Sequence, residues 1–281
     1  MEILNQKRCI IGEGPIWNEN EEKLYFTNGI ESEICTYDLK NKKLDIIPFV
    51  AAAIAFDTQN RIYLSTPDGV FMLNSDNTLS EFYDTSRFNI KYANDMKAGP
   101  DGSLYVGTQS GKRKGVSDKI DGKLYRISPD GDVKVLLDGL ILSNGMEWSL
   151  DEKKFYHTDS DTNIIKEYNF DKTNGEILFT GRQIEVQSVD GFTVDSQDRL
   201  LVACWGQGHI AVVDTASLKI IEYLDTPCKI PASCAFCGEN MDILAITTAC
   251  YNTDIQADEN AGFTLLHKMN VKGRKPYIFK R

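Results

Sequence analysis

The chain has 281 residues and a formal charge of −10, from 31 Lys+Arg against 41 Asp+Glu, and 42% of its residues are hydrophobic. This composition suits a globular protein with a full core, and the acidic balance disfavours nucleic-acid binding, which needs Lys and Arg to displace counterions. The longest apolar run, residues 49–56, is far shorter than the roughly 18 residues of a membrane span. The N-terminus lacks the basic and apolar regions of a signal peptide. We therefore expect a soluble, cytoplasmic protein that binds neither nucleic acid nor membrane.

The chain contains seven cysteines, an odd number that does not suit a disulfide framework. Only Cys234 and Cys237 have the spacing of a zinc-binding pair, and no second pair or nearby histidine completes a site. We expect these cysteines to be buried, unreactive thiols.

Pairs of β-rich runs separated by a turn recur along the chain. In chain order the pairs are residues 24–27 and 33–38, 61–65 and 70–73, 104–108 and 123–127, 155–159 and 164–168, 200–204 and 209–214, and 243–247 and 263–267. The pairs repeat about every 40–50 residues, the length of a four-stranded propeller blade. Further β-rich runs, such as residues 53–57 and 134–137, supply the remaining strands. The sequence predicts an all-β, six-bladed β-propeller.

No Gly/Ser/Pro-rich linker divides the chain, and no stretch of ten or more residues has the apolar spacing of a helix. The sequence predicts one domain over residues 1–281, in which residues 2–11 add an outer strand to the last blade and close the ring. The acidic surface without an apolar stripe is compatible with a monomer.

One polar residue stands at the start of the innermost strand in four of the repeats. These residues are Glu13, Asn94, Asn144 and Asp190. Inner strands line the channel of a propeller, so equivalent positions converge at one end. Two carboxylates and two amide carbonyls form an all-oxygen set of charge −2, which suits Ca²⁺, Mg²⁺ or Mn²⁺ better than Zn²⁺. The alternative is that the Asn-Gly and Asp-Gly pairs only form turns.

Five ordered motifs resemble the regucalcin (SMP-30)/gluconolactonase/luciferin-regenerating enzyme family. They are Glu-Gly-Pro-Ile-Trp at 13–17, Asn-Asp at 94–95, Ser-Asn-Gly-Met-Glu-Trp at 143–148, Asp-Gly-Phe-Thr-Val at 190–194 and Val-Ala-Cys-Trp at 202–205. The resemblance covers about residue 10 to the C-terminus. It implies a six-bladed propeller that binds one divalent metal ion through Glu13, Asn144 and Asp190. It also implies that Asn94 contacts the substrate or completes the metal shell through water, and that Asp190 is the general acid/base.

At three positions that face the substrate in the family, this sequence carries a different residue. Tyr92 stands where the sugar-hydrolysing animal members carry Arg, Asp118 is the nearest counterpart of a family Glu, and Met96 replaces a usual Gly. Trp17 and Trp205 are further candidates for substrate contact, although aromatic residues near inner strands also pack between blades.

The insertion of the third repeat carries three consecutive cations, Lys112, Arg113 and Lys114. Such a run is typical of a solvated loop. The alternative is a lid over the site that attracts an anionic substrate.

The resemblance therefore predicts a metal-dependent lactonase, a carboxylic ester hydrolase acting on a sugar-derived lactone such as gluconolactone. The ion polarises the ester carbonyl and Asp190 takes a proton from water; attack by a metal-bound hydroxide is the open alternative. Because Tyr92 replaces the family Arg, two other functions stay open. One is a calcium- or ligand-binding regulatory propeller without hydrolysis, and the other is a hydrolase of another ester, such as an organophosphate or an aryl ester.

Overall fold

The computed structural model of the protein describes residues 1–84 and 87–281. Its strands form six four-stranded antiparallel sheets, and the first strand of each sheet packs against the first strand of the next around a central channel. This arrangement confirms the predicted all-β, six-bladed β-propeller.

The strands follow the predicted repeats closely. The chain begins with β1 (Glu2–Leu4), which belongs to the last blade. Blade 1 contains β2 (Gly12–Asn18), β3 (Lys23–Asn28), β4 (Glu33–Asp38) and β5 (Lys43–Ile47). Blade 2 contains β6 (Ala53–Phe56), β7 (Ile62–Thr66), β8 (Gly69–Leu73) and β9 (Leu79–Ser80). Blade 3 contains β10 (Ala93–Ala98), β11 (Leu104–Thr108), β12 (Gly122–Ile127) and β13 (Val133–Leu140), with helix α1 (Gly111–Lys114) between β11 and β12.

The second half of the chain repeats the pattern. Blade 4 contains β14 (Ser143–Trp148), β15 (Lys154–Asp159), β16 (Ile164–Asp171) and β17 (Glu176–Glu185). Blade 5 contains β18 (Val189–Val194), β19 (Arg199–Cys204), β20 (His209–Asp214) and β21 (Lys219–Asp225). Blade 6 contains β22 (Pro231–Cys237), β23 (Ile243–Thr248) and β24 (Thr264–Lys268) together with β1. Among the described residues, no helix is long and apolar enough to cross a membrane.

The core lies between neighbouring blades. Second strands such as β11 and β19 are almost wholly buried, whereas outer strands such as β17 and β21 are largely exposed. Apolar side chains interdigitate between the sheets; for example, the rings of Tyr105 and Phe155 lie 4.8 and 5.0 Å from that of Trp148. Burial of these large aromatic surfaces fixes the spacing of the blades, and thereby the width of the channel.

The N-terminal residues complete the last blade. Strand β1 pairs with β24, with Leu4 opposite Thr264, and the Cys9 amide donates to the Gly262 carbonyl at 2.7 Å. The first and last strands of the chain thus share one sheet, which closes the ring by hydrogen bonds.

The C-terminal strap, defined here as residues 270–281, crosses the channel at the end where the inner strands finish. The Lys272 carbonyl accepts from the Ser196 amide of blade 5 at 2.6 Å, and the Phe279 amide donates to the Phe56 carbonyl of blade 2 at 2.9 Å. The strap therefore covers this lower end of the channel. The opposite end, where the inner strands begin, is called the mouth.

Candidate functional site

The inner strands are irregular at the predicted site residues. Their register with the second strand of the blade shifts between Glu13 and Ile16, Ala93 and Met96, Asn144 and Met146, and Val189 and Phe192. A β-bulge bends a strand and re-aims a side chain. Blade 6 has a similar shift between Pro231 and Ser233. In blades 1, 3, 4 and 5 the bulge lies at the position of Glu13, Asn94, Asn144 or Asp190.

Gly145 shows why glycine follows the site residue in blade 4. A Cβ atom at this position would lie 2.4 Å from the backbone oxygen of Asp190 on the neighbouring inner strand, so only glycine allows the two strands to approach this closely. Asn144 and Gly145 lie inside β14, and Asp190 and Gly191 lie inside β18. The interpretation of these pairs as simple turns is therefore wrong.

Asn144 and Asp190 meet at the mouth. The side-chain amide of Asn144 donates to Oδ1 of Asp190, and both side chains are buried, with Asp190 only 6% exposed. Glu13 lies half-buried on the inner strand of blade 1, near enough to Asp190 for their charges to interact. The structure thus brings together an amide and two carboxylates from blades 1, 4 and 5.

Simultaneous ionisation of the carboxyl groups at the mouth is unfavourable. Burial, and then the charge of Asp95, raises the pKa of Asp190 to about 8. Burial, and then the charges of Asp190 and Asp95, raises the pKa of Glu13 well above its ordinary value. Burial also raises the pKa of Asp95, although the charge of Lys97 opposes this. A site of this kind gains stability from a bound cation, because the cation favours the ionised carboxylates.

Asp95 is the site residue that sequence reasoning missed. It directly follows Asn94, at the bulge position of blade 3. The corresponding positions of blades 1, 4 and 5 hold Gly14, Gly145 and Gly191. The signal in the sequence was that Asp95 replaces the glycine found at this position in the other three blades. Asp95 places a third carboxylate at the mouth.

Asn94 is held at both ends of its side-chain amide. Its Nδ2 donates to the Ser143 carbonyl at 3.1 Å, and its Oδ1 accepts from Gln109 Nε2 at 3.2 Å. The Ser143 hydroxyl is in turn hydrogen-bonded to Nε2 of His157 at 2.8 Å, and burial lowers the pKa of His157 to about 3, which keeps the ring neutral. These contacts fix the positions of Asn94 and of the strand that carries Asn144.

The donor set fits a hard divalent cation. Among the described residues, Glu13, Asp95 and Asp190 have no Lys or Arg within ion-pair distance, although more distant charges act on them. No three His, Cys, Asp or Glu side chains in the described ranges lie close enough to hold a metal by themselves. An ion at the mouth would therefore also need amide or water oxygen, and the side-chain amide of Asn144, which contacts Asp190, carries such an oxygen. Such oxygen ligands suit Ca²⁺, Mg²⁺ or Mn²⁺.

Below the mouth, the channel holds a network of charges that the sequence did not indicate. Glu147 accepts from Lys97 Nζ at 3.1 Å and from the guanidinium of Arg274 in the C-terminal strap. Lys97 also donates to the Phe192 carbonyl at 2.7 Å. Burial alone would raise the pKa of Glu147, but the charges of Lys97 and Arg274 lower it below its ordinary value. Lys97, Glu147 and Arg274 line a cavity of about 60 Å³ that extends from Asp95 to the strap.

The remaining predicted residues lie in different surroundings. Tyr92 precedes β10 and is half-buried at the mouth, with its amide bonded to the Pro67 carbonyl at 2.8 Å. Trp205 follows β19 at the same end and is half-buried. Asp118 lies on the exposed insertion after α1. Trp17 is buried in the apolar core between blades 1 and 6 and is not brought to the mouth.

The sequence and the fold were compared with known proteins. A family model described as "SMP-30/Gluconolactonase/LRE-like region" matches residues 11–250. Regucalcin of Homo sapiens is 28% identical over 295 aligned residues, which cover 99% of this chain and 98% of regucalcin. A calcium-binding protein, regucalcin, from Agrobacterium tumefaciens str. C58 has a structure that matches with a TM-score of 0.87 at 23% identity, over 99% of this chain and 97% of that chain.

A second solved structure is that of a gluconolactonase from Xanthomonas campestris. It matches with a TM-score of 0.72 at 20% identity, over 93% of this chain and 87% of that chain. At these identities the two structures support the propeller fold alone. The family match spans most of the sequence and includes the four predicted site residues at the starts of inner strands. The chain therefore belongs to the SMP-30/gluconolactonase/LRE-like family.

Proposed function

We propose that this chain is a divalent-metal-dependent lactonase that opens a sugar-derived lactone such as gluconolactone. The proposal depends mainly on Asp190, a buried carboxyl at the mouth that contacts Asn144 and has a pKa of about 8. This value is that of the metal-free site, and a bound ion would lower it again. Asp190 would therefore act as the base through the carboxylate oxygen that is not on the ion, which can accept a proton and return it during the reaction. Membership of a family that includes gluconolactonases supports the same reaction class.

In the proposed site, Glu13, Asn144 and Asp190 would hold the ion. When bound, the ion supplies Lewis-acid stabilisation of the negative charge that develops on the ester carbonyl oxygen. Asp190 accepts a proton from water as the water oxygen forms its bond to the carbonyl carbon. It then returns that proton to the ring oxygen as the ring C–O bond breaks, which leaves a hydroxy acid. Asn94, fixed by Ser143 and Gln109, positions the substrate.

The direct test is a pH-indicator assay of purified protein with a panel of neutral and acidic lactones. We expect turnover that is lost after EDTA treatment and restored by adding Ca²⁺, Mg²⁺, Mn²⁺ or Zn²⁺ in turn. The ion that restores the highest kcat/KM identifies the preferred metal. Turnover that is insensitive to EDTA, or no turnover of any lactone by metal-loaded protein, would overturn the proposal.

Asn144→Ala is expected to weaken metal binding by at least about tenfold, because it removes the amide that contacts Asp190 and with it the oxygen proposed as a ligand. Asn94→Ala is the matched comparison. Since both ends of the Asn94 amide are occupied, its loss is expected to raise KM and leave metal affinity close to that of the wild type. Calorimetric titration with Ca²⁺ and Mn²⁺ measures both affinities. Unchanged affinity in Asn144→Ala would remove Asn144 from the ligand set.

Metal affinity is expected to rise with pH up to about 8. Asp190 has a raised pKa of about 8, so below this pH a cation must displace its proton. One displaced proton lowers the apparent association constant by about tenfold for each pH unit below the pKa. Titration between about pH 6 and pH 8 measures this slope, and Asp190→Asn should reduce it by the one proton that Asp190 releases. A flat profile in the wild type would contradict the proposed role of Asp190 as a ligand.

A calcium-binding regulatory propeller is the second candidate. Two observations favour it: human regucalcin aligns over almost the whole chain, and uncharged Tyr92 stands at a substrate-side position of the family pattern. The same assay separates the two functions, since tight calcium binding without hydrolysis of any lactone would favour regulation. If aryl esters or organophosphates were hydrolysed and lactones were not, the protein would be a hydrolase of another ester.

A further inference from the structure

The insertion between β11 and β12 is anchored beside the mouth. Its first residue, Gln109, donates to Asn94 Oδ1 at 3.2 Å and forms a β-bridge with Leu142 of the next blade. Helix α1 follows at once, so its cations are held over the boundary between blades 3 and 4. The inner strands of these two blades carry Asn94 and Asn144.

The backbone of α1 is firmly held although the helix has only four residues. The Ser110 hydroxyl accepts from the Arg113 amide at 3.1 Å, and Asp121 Oδ1 accepts from the Gly111 amide at 2.8 Å. Gly111 packs so closely on Ser117 that a Cβ atom would lie 2.2 Å from the serine hydroxyl oxygen. The insertion thus presents the side chain of Arg113 from a defined position.

The Arg113 side chain extends from blade 3 toward blade 4 at the mouth. Its Nε lies 4.0 Å from Oδ1 of Asp161, in the turn between β15 and β16, and the side chain is 50% exposed. In the described ranges its guanidinium makes no hydrogen bond at normal distance, so its donors are available to a ligand.

Arg113 is a cation in acidic surroundings, which bears on the charge of the ligand that it could bind. The protein carries a net charge of −10, and the mouth concentrates the carboxylates of Glu13, Asp95 and Asp190. A divalent ion held by Glu13, Asn144 and Asp190 would offset this charge only at the ester carbonyl, so a negative group elsewhere on the substrate would need a cation farther out at the mouth. A guanidinium presents a planar set of donors that matches a carboxylate in a bidentate contact. A neutral lactone has no need of such a group.

We propose that Arg113 is a specificity-determining residue that selects lactones bearing an ionised carboxylate, so that the preferred substrate is an anionic sugar lactone. This inference rests on the proposed lactonase function. Lys112 and Lys114 are exposed on the same short helix and add to the attraction of anions toward the mouth.

The test compares glucarolactone, which keeps a free carboxylate, with neutral gluconolactone, using the metal-loaded protein. We expect the wild type to prefer glucarolactone, and Arg113→Gln to reduce the ratio of the two kcat/KM values by about tenfold, mainly through KM. Arg113→Lys should retain part of the preference. Lys119→Gln, which removes an exposed cation of the same insertion, should leave the ratio unchanged. A fall shared equally by both substrates, or an unchanged ratio in Arg113→Gln, would overturn the inference.

A binding measurement separates this inference from the proposed function. Calcium-loaded protein is titrated with glucuronate and with glucose, which differ by one carboxylate and require no turnover. Binding of glucuronate that Arg113→Gln removes supports the anion site even if no lactone is hydrolysed. Hydrolysis of both lactones, with no preference for glucarolactone or glucuronate, leaves the lactonase proposal standing and overturns the role of Arg113.

Discussion

Replacement of Asp190 by Asn is expected to reduce kcat/KM for a hydrolysed lactone by about 10²–10⁴-fold, the usual contribution of a positioned general acid/base. The amide keeps the shape of the side chain and loses the ability to accept a proton from water. Hydrolysis is measured at saturating metal, with the bound metal quantified, so that loss of the ion is not mistaken for loss of the base. Asp45→Asn is the control, since Asp45 lies on outer strand β5, paired with exposed Lys43.

The same substitution is expected to stabilise the metal-free protein at alkaline pH. The folded-state pKa of Asp190, about 8, is above the ordinary value of about 4, so the folded state binds more protons than the unfolded state between these values. The free energy of unfolding therefore falls as pH rises through this window. Above about pH 8, Asp190→Asn removes one charge from a repulsive cluster, and its urea midpoint should exceed that of the wild type. Near wild-type turnover, or a lower midpoint, would contradict the proposed role.

The propeller could be predicted from the sequence because the patterns that define its strands are local and recur in every blade. Alternating β-rich runs define strands, and their recurrence defines blades. For example, residues 155–159 agree with β15, and residues 164–168 agree with the first part of β16. The position of Asp190 also follows from this repetition. Its place at the start of an inner strand matches that of Asn144 one blade earlier, and the two meet at the mouth.

The details of side-chain direction could not be predicted in the same way. Trp17 stands four residues after Glu13 on the same strand, yet it packs in the core between blades 1 and 6. Strand alternation alone does not determine this, because the bulge between Glu13 and Ile16 changes which residues face the channel. The role of Asp95 depends on the same kind of bulge in blade 3.

Contacts made by the C-terminal strap could not be predicted from the sequence either, but for a different reason. Arg274 is separated from Glu147 by more than a hundred residues, and no repeat or motif links the two positions. Their contact depends on the path of the strap across the lower end of the channel. Only the assembled ring brings the guanidinium of Arg274 and the ammonium of Lys97 to the same carboxylate.

This network leads to a prediction about stability. Glu147 is buried beside Lys97 and Arg274, whose side chains are 28% and 19% exposed. Glu147→Ala leaves two cations facing each other in the channel without the carboxylate between them. Removal of one member of a buried ionic network costs about 3–5 kcal/mol, and the residual exposure of the cations favours the lower end of this range.

We therefore expect Glu147→Ala to lower the free energy of unfolding by about 3 kcal/mol, measured by urea denaturation followed through tryptophan fluorescence. Glu176→Ala is the matched control. It breaks the ion pair of Lys134 with Glu176, whose N–O distance of 2.6 Å is similar but whose side chains are 46% and 59% exposed, and exposed pairs contribute only about 0–1 kcal/mol. Because Glu147 closes the network between two blades and the C-terminal strap, its loss should also make the strap more accessible to carboxypeptidase. Equal, small losses in both variants would show that Glu147 does not hold the lower channel together.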